Sequence, residues 1–170
     1  MNRTILAIAL AGLSACNLNL ADRSGTRMAA HTTPDGRLQF DAPSDWIVDG
    51  NTKTETFVEV IWSDGQGGNY AALSVSAHAH GRLAALERST TKRLTKDGYR
   101  LVLQREVETR AGTARHLRFH GTNPRGTEHD IDCLFLTADE TGYFVHLVTN
   151  DTSNESRDAI LRSFRPAAQG

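Results

Sequence analysis

Four histidines at strand spacing are the residues of this chain best placed to do chemistry. His78 and His80 alternate with Ala77 and Ala79, and His116 and His120 bracket Arg118 at the same period. Strand side chains return to one face every second residue, so each pair shares a face. If the two strands were neighbours, four imidazoles could approach a zinc or copper ion. Such a site also needs groups that orient the rings and a register that no pattern displays, so the reading adopted is solvated outer-face histidines with no metal and no cofactor. Glu128-His129-Asp130-Ile131-Asp132 offers a second cluster of hard ligands. It lacks the glycine spacing of a calcium loop, and its alternation fits a polar strand edge.

Nucleophilic chemistry finds less support. There is no Gly-x-Ser-x-Gly elbow, and Cys133 lies inside the apolar run Ile131 to Leu136, where a thiol packs as a small hydrophobe. Carboxylates are plentiful but unpaired in any telling context. Gly65 to Gly68 precedes a strand rather than a helix, which makes it a hairpin turn and not a phosphate loop. The chain is therefore expected not to be an enzyme.

The elements that must position these groups can be read from periodicity. Leu38 and Phe40 open a first short strand, Asp41 to Asp45 break it, and Trp46 to Val48 resume it. Thr54 to Trp62 and Tyr70 to His80 form a hairpin, with Leu73, Val75, Ala77 and Ala79 on one face. Leu83, Leu86, Thr90 and Leu94 change the period to three and four and predict a helix over 81 to 97, closed by Gly98. Tyr99 to Thr109, Thr113 to Gly121, Glu128 to Thr137 and Tyr143 to Asn150 are strands at hairpin spacing, an antiparallel meander. A final helix runs from Ser153 to Phe164, with Thr152 and Glu155 at capping-box spacing and Pro166 ending it. The class is α+β, an antiparallel sheet flanked by two main helices.

The charges are uneven along this frame. Residues 82 to 118 hold ten basic and four acidic side chains, and residues 128 to 158 hold eight acidic ones with Arg157 as the lone base. The simpler expectation is that the two stretches lie side by side and neutralise one another. The sharper one is a basic patch that meets an acidic partner or anionic lipid headgroups. Nothing in the overall balance calls for nucleic acid: without Arg3 the chain carries 18 basic residues against 20 acidic ones.

Location is read from the start of the chain. A cation at Arg3, an apolar stretch from Ile5 to Leu13 and the small residues Ser14 and Ala15 before Cys16 form an export signal too short to span a bilayer. Leu13-Ser-Ala-Cys16 resembles the bacterial lipobox, and the resemblance implies cleavage after residue 15 and acylation (palmitate among the chains) of Cys16. Asn17, in place of an aspartate, implies the periplasmic face of the outer membrane if the cell is Gram-negative. The expected organisation is a signal peptide over 1–15, a flexible tether over 16–35 and a single domain over 36–166.

Across that domain, Phe40-Asp-Ala-Pro-Ser-Asp-Trp46, Gly142-Tyr-Phe-Val-His-Leu-Val-Thr149 and Ile160-Leu-Arg-Ser-Phe-Arg165 resemble the PsbP-like superfamily, and within it the DcrB-type bacterial lipoproteins. The resemblance implies an α/β/α sandwich used as a binding or accessory module without catalytic residues, with Trp46 plugging one end of the sheet. The expected role is a lipid-anchored, non-catalytic module of the cell envelope with an envelope protein as partner. The alternatives are an immunity protein neutralising a toxin delivered to the periplasm, or a metal-binding protein or enzyme using His78, His80, His116 and His120.

Overall fold

A computed structural model describes residues 27–33, 35–53, 57–63, 71–79, 82–124, 126–149 and 154–167. The signal segment, Cys16, the Gly65 to Gly68 turn, His80 and the Thr152 cap lie outside them. The described elements are two helices and ten strands in two antiparallel sheets. Strands β3 (Ile47–Lys53), β4 (Phe57–Ser63) and β5 (Ala71–Ala79) precede helix α1 (Leu83–Lys96). Strands β6 (Arg100–Thr109), β7 (Gly112–Thr122), β8 (Glu128–Ala138) and β9 (Thr141–Thr149) follow it, and then helix α2 (Asn154–Arg162). These seven strands form one sheet in the order β3-β4-β5-β9-β8-β7-β6. The second sheet joins the ends of the domain: β1 (Met28–Thr32), β2 (Leu38–Pro43) and β10 (Arg165–Pro166) pair in the order β1-β2-β10.

The meander and both helices match the expectation, and the second sheet corrects it. Residues 28 to 32, read as tether, pair along β2 from Met28 opposite Pro43 to Thr32 opposite Gln39. Arg165 Nη1 and Nη2 donate to the two oxygens of Asp41 at 3.0 and 2.8 Å, which ties β10 to β2 by a two-pronged charged contact.

Two apolar clusters fill the opposite pleat faces of β8 and β9. One gathers Leu134, Leu136, Tyr143, Val145 and Leu147 with Leu38, Phe40 and Trp46, and with Ile160, Leu161 and Phe164 of α2 and the turn after it. Phe40 and Phe164 stack at 5.1 Å. Trp46 is buried in this cluster, as packing rather than ligand stacking requires. The other cluster gathers Leu117, Phe119, Ile131, Cys133 and Phe135 under Leu94 of α1, with Leu83 and Leu86 beside it.

α1 forms because its apolar residues recur at helical spacing and Gly98, at φ +91°, takes the left-handed position just beyond its C-cap Asp97. Two glycines let its ends settle. A Cβ on Gly142 would meet Leu83 Cγ at 2.8 Å, and one on Gly121 would meet the Tyr99 ring at 2.6 Å. The helix thus seats directly against bare backbone.

Candidate functional site

The densest group of ionisable side chains lies between α2 and the face of β6, β7 and β8 that carries Arg105, His116, Arg118, Asp130 and Asp132. Register places His116 opposite Arg105 and Leu134, Arg118 opposite Asp132, and His120 opposite Asp130. The basic and acidic stretches therefore meet inside the molecule, as the simpler charge reading expects.

Asp132 is at the centre, with 0% of its surface exposed. Its Oδ1 accepts from His116 Nε2 at 2.7 Å and from Arg118 Nε at 2.6 Å. Its Oδ2 has no hydrogen bond and faces Arg157 Nε at 4.0 Å. Arg105 Nε donates to His116 Nδ1 at 3.2 Å, so that nitrogen bears no proton and Nε2 carries the one given to Asp132. Both ring nitrogens are committed.

Asp158 of α2 accepts from Arg105 Nη2 at 2.9 and 2.8 Å and from Arg118 Nη2 at 3.4 Å. Arg157 reaches the other way, to Asp130 Oδ2 and, at 3.2 Å, to Thr149 Oγ1. His120 Nδ1 closes the chain on Asp130 Oδ1 at 2.9 Å. Burial alone would raise the pKa of Asp130, but the hydrogen bonds from His120 and Arg157 outweigh it and hold the carboxyl below its usual range. Asp158 is likewise lowered, burial being overcome by the hydrogen bond and charge of Arg105 and then by Arg118. Three carboxylates face three guanidiniums, so the network is neutral as a whole.

On the opposite face, under and beside α1, a second polar row crosses the sheet: Ser74 of β5 lies opposite His146 of β9, which lies opposite Cys133 of β8. Burial, and then the charges of Arg93 and His129, push the His146 pKa down to about 4, so the ring is neutral; its Nε2 is buried without a hydrogen bond. Burial and the nearby charge of Asp132 push the Cys133 thiol far above its ordinary value. A thiol so raised is not a nucleophile at neutral pH. We expect Cys133 to resist a thiol-reactive dye in the native protein and to react stoichiometrically once urea unfolds it; labelling of the native chain at the free-thiol rate would contradict this.

One strand over, Ser76 Oγ and His78 Nε2 are 2.8 Å apart, which has the spacing of a nucleophile and its base. Ser76 nevertheless sits in mid-strand, paired with Glu59 on one side and Phe144 on the other. The backbone groups of β5 around it belong to the ladders with β4 and β9.

These positions revise the histidine readings. β5 and β7 are not neighbours, since β9 and β8 lie between them, roughly 14 Å at normal strand spacing. His78 also shares the pleat face of Ser76, under α1, whereas His116 and His120 share that of Asp132, under α2. Among the described residues, His78 therefore does not join His116 and His120. The solvated alternative fails as well for His116, which is 0% exposed. Among the described residues, no three His, Cys, Asp or Glu side chains come together in a way that could hold a metal ion. The hard-ligand run of β8 lies in an interior strand and not at an edge. The buried centre at Asp132 was missed because alternation shows which residues share a face and not what covers it.

No protein family matches the chain, and no curated protein does. Solved structures do resemble it. LpqN, involved in cell envelope biogenesis of Mycobacterium tuberculosis, superposes with a TM-score of 0.50 at 8% identity, over 82% of this chain and 90% of that one. A protein from Bacteroides thetaiotaomicron VPI-5482 gives 0.49 at 12% identity over 83% of this chain, which spans 49% of the Bacteroides chain's length. PA94 from Pseudomonas aeruginosa, a protein of unknown function, gives 0.43 at 12% identity over 76% of this chain and 85% of that one. No family supports the PsbP-like or DcrB-type resemblance; what stands is an α+β fold of two helices and two antiparallel sheets, shared in outline with LpqN.

Proposed function

We propose that this chain is a lipid-anchored module of the bacterial cell envelope that acts by binding a protein partner and not by catalysis. One observation carries the reading: the residues best suited to chemistry are either tied to one another and buried, as around Asp132, or held neutral and buried, as at Cys133 and His146. A site built for turnover keeps at least one such group poised and open to substrate. The Leu13-Ser-Ala-Cys16 lipobox supports the anchor. No helix among the described residues is long and apolar enough to cross a membrane. The placement of the α1 and α2 clusters on opposite pleat faces favours a PsbP-like α/β/α sandwich, and the likeness to LpqN is compatible with an envelope role.

The test is affinity capture of the native chain from crosslinked envelopes beside a Cys16→Ala control. One stoichiometric protein partner, lost together with membrane association in the control, is the expected result, and its identity would separate an accessory role from toxin neutralisation. Turnover of a substrate by the purified protein, abolished by a single His or Asp substitution, would overturn the reading.

A further inference from the structure

The internal network uses Arg105, Arg118 and Arg157, but it leaves the cations of α1 unspent. Arg88, Lys92 and Lys96 recur every fourth residue along α1 and are exposed. Residues four apart share a helix face, so these side chains form one stripe on the side turned away from the sheet. The first turn of the helix contains no acidic residue. Of the two carboxylates between residues 82 and 100, Glu87 is taken by Arg115 at 3.6 Å and Asp97 is the C-cap of the helix. Among the described residues, no carboxylate pairs with any cation of the stripe.

At the C-terminal end of this stripe the chain also exposes apolar surface. Leu101 is 38% and Val102 46% exposed at the start of edge strand β6. A register shift between Leu101 and Leu103 leaves Val102 outside the regular pairing with β7, and Leu101 stands opposite Phe119 on the α1 side of the sheet. Two unburied apolar side chains beside a row of unpaired cations are what an interfacial membrane contact requires: the cations meet anionic headgroups and the apolar residues dip below them.

We propose that the exposed side of α1, with Leu101 and Val102, is a docking surface for an anionic lipid leaflet. The proposal rests on the lipid-anchor reading only for proximity. From Cys16 to Arg27 the chain has twelve residues, which whatever their conformation reach at most about 40 Å. Held that close, a contact too weak to recruit a free protein suffices to orient a tethered one. α1 would then lie on the leaflet and turn the α2 face toward the periplasmic space.

The experiment uses the mature chain from residue 16 carrying Cys16→Ser, so that no acyl chain binds by itself. Sedimentation with vesicles of phosphatidylcholine containing about one third phosphatidylglycerol is expected to show binding that vanishes on pure phosphatidylcholine and falls steeply with added salt. Charge reversal by Arg88→Glu, Lys92→Glu and Lys96→Glu should weaken binding by about a hundredfold or more while leaving the circular dichroism unchanged, because none of the three packs in the core. Leu101→Ser with Val102→Ser should weaken it by a smaller factor and leave the salt dependence intact. Failure to bind anionic vesicles, or equal binding to neutral ones, would overturn the proposal. So would a stable dimer in solution that Val102→Lys dissociates, since β6 edges would then cover the patch. None of these results bears on the anchor, which release of Cys16→Ala from membranes tests separately.

Discussion

Replacing Asp132 by alanine is expected to lower the free energy of unfolding by about 3–5 kcal/mol, the usual cost of removing one partner from a buried charged set. The reason is what stays behind. Arg118 Nε and the Nε2–H of His116 lose their acceptor, His116 having no exposed surface, and Arg157 loses the carboxylate it faces. A domain of this size should melt on the order of 10 °C lower. Asp132→Asn should recover only part of the loss, because its amide keeps the shape but brings two N–H donors into a group already rich in donors. Replacing Asp132, His116 and Arg118 together by leucine should restore most of it, since no charge is then left without its partner. Urea denaturation of the three variants decides the matter. A loss below about 1 kcal/mol for Asp132→Ala would mean that the network contributes little to holding α2 on the sheet.

His146 makes stability depend on pH in a window of its own. Its folded pKa of about 4 lies below the value of about 6.5 that the ring has when unfolded. Below the unfolded value the unfolded chain takes up the proton first, so stability falls as pH drops from about 6.5 to about 4, by up to about 3 kcal/mol. Asp130 and Asp158 act in the same sense but lower down. Their folded pKa values are depressed, so their contribution is present above about 3.8 and is lost only as pH falls through the folded values. His146→Leu should therefore flatten the dependence between pH 6.5 and pH 4 while leaving the collapse at lower pH. It should cost little at pH 7, because it also removes the buried Nε2 that has no partner. Melting temperatures of the two proteins across that range give the answer, and parallel slopes would show that another group sets the dependence.

Much of the fold was legible in the residues because periodicity is a local property. The alternation of Leu73 to Ala79 and the three-and-four spacing from Leu83 to Leu94 each locate an element and its buried side without knowledge of anything distant. β1 and β10 escaped notice because five and two residues carry too little pattern, and they exist only as partners of β2. The same limit explains the site. Period two placed His116, Arg118 and His120 on one face correctly, and the lopsided charge pointed to mutual neutralisation. That β9 inserts between β5 and β8, sending His78 away from His116, is a matter of strand order, which no local pattern contains. The burial of Asp132 depends on where α2 comes to rest, another long-range fact.

The insertion of β9 also sets an order of assembly. β6 to β9 join through short connections, so each hairpin closes at small entropic cost, whereas β5 must find β9 across α1 and three intervening strands, pairing Ala71 with Thr149 and Ala79 with Thr141. β10 must then return to β2, bringing Arg165 to Gln39. Long-range pairings of this kind slow folding. The meander is the part able to condense early, and the N-terminal third can be locked in only after β9 has been made. Were the chain exported unfolded, as the proposed lipobox implies, its leading strands would have no finished sheet to join until nearly the whole polypeptide was through.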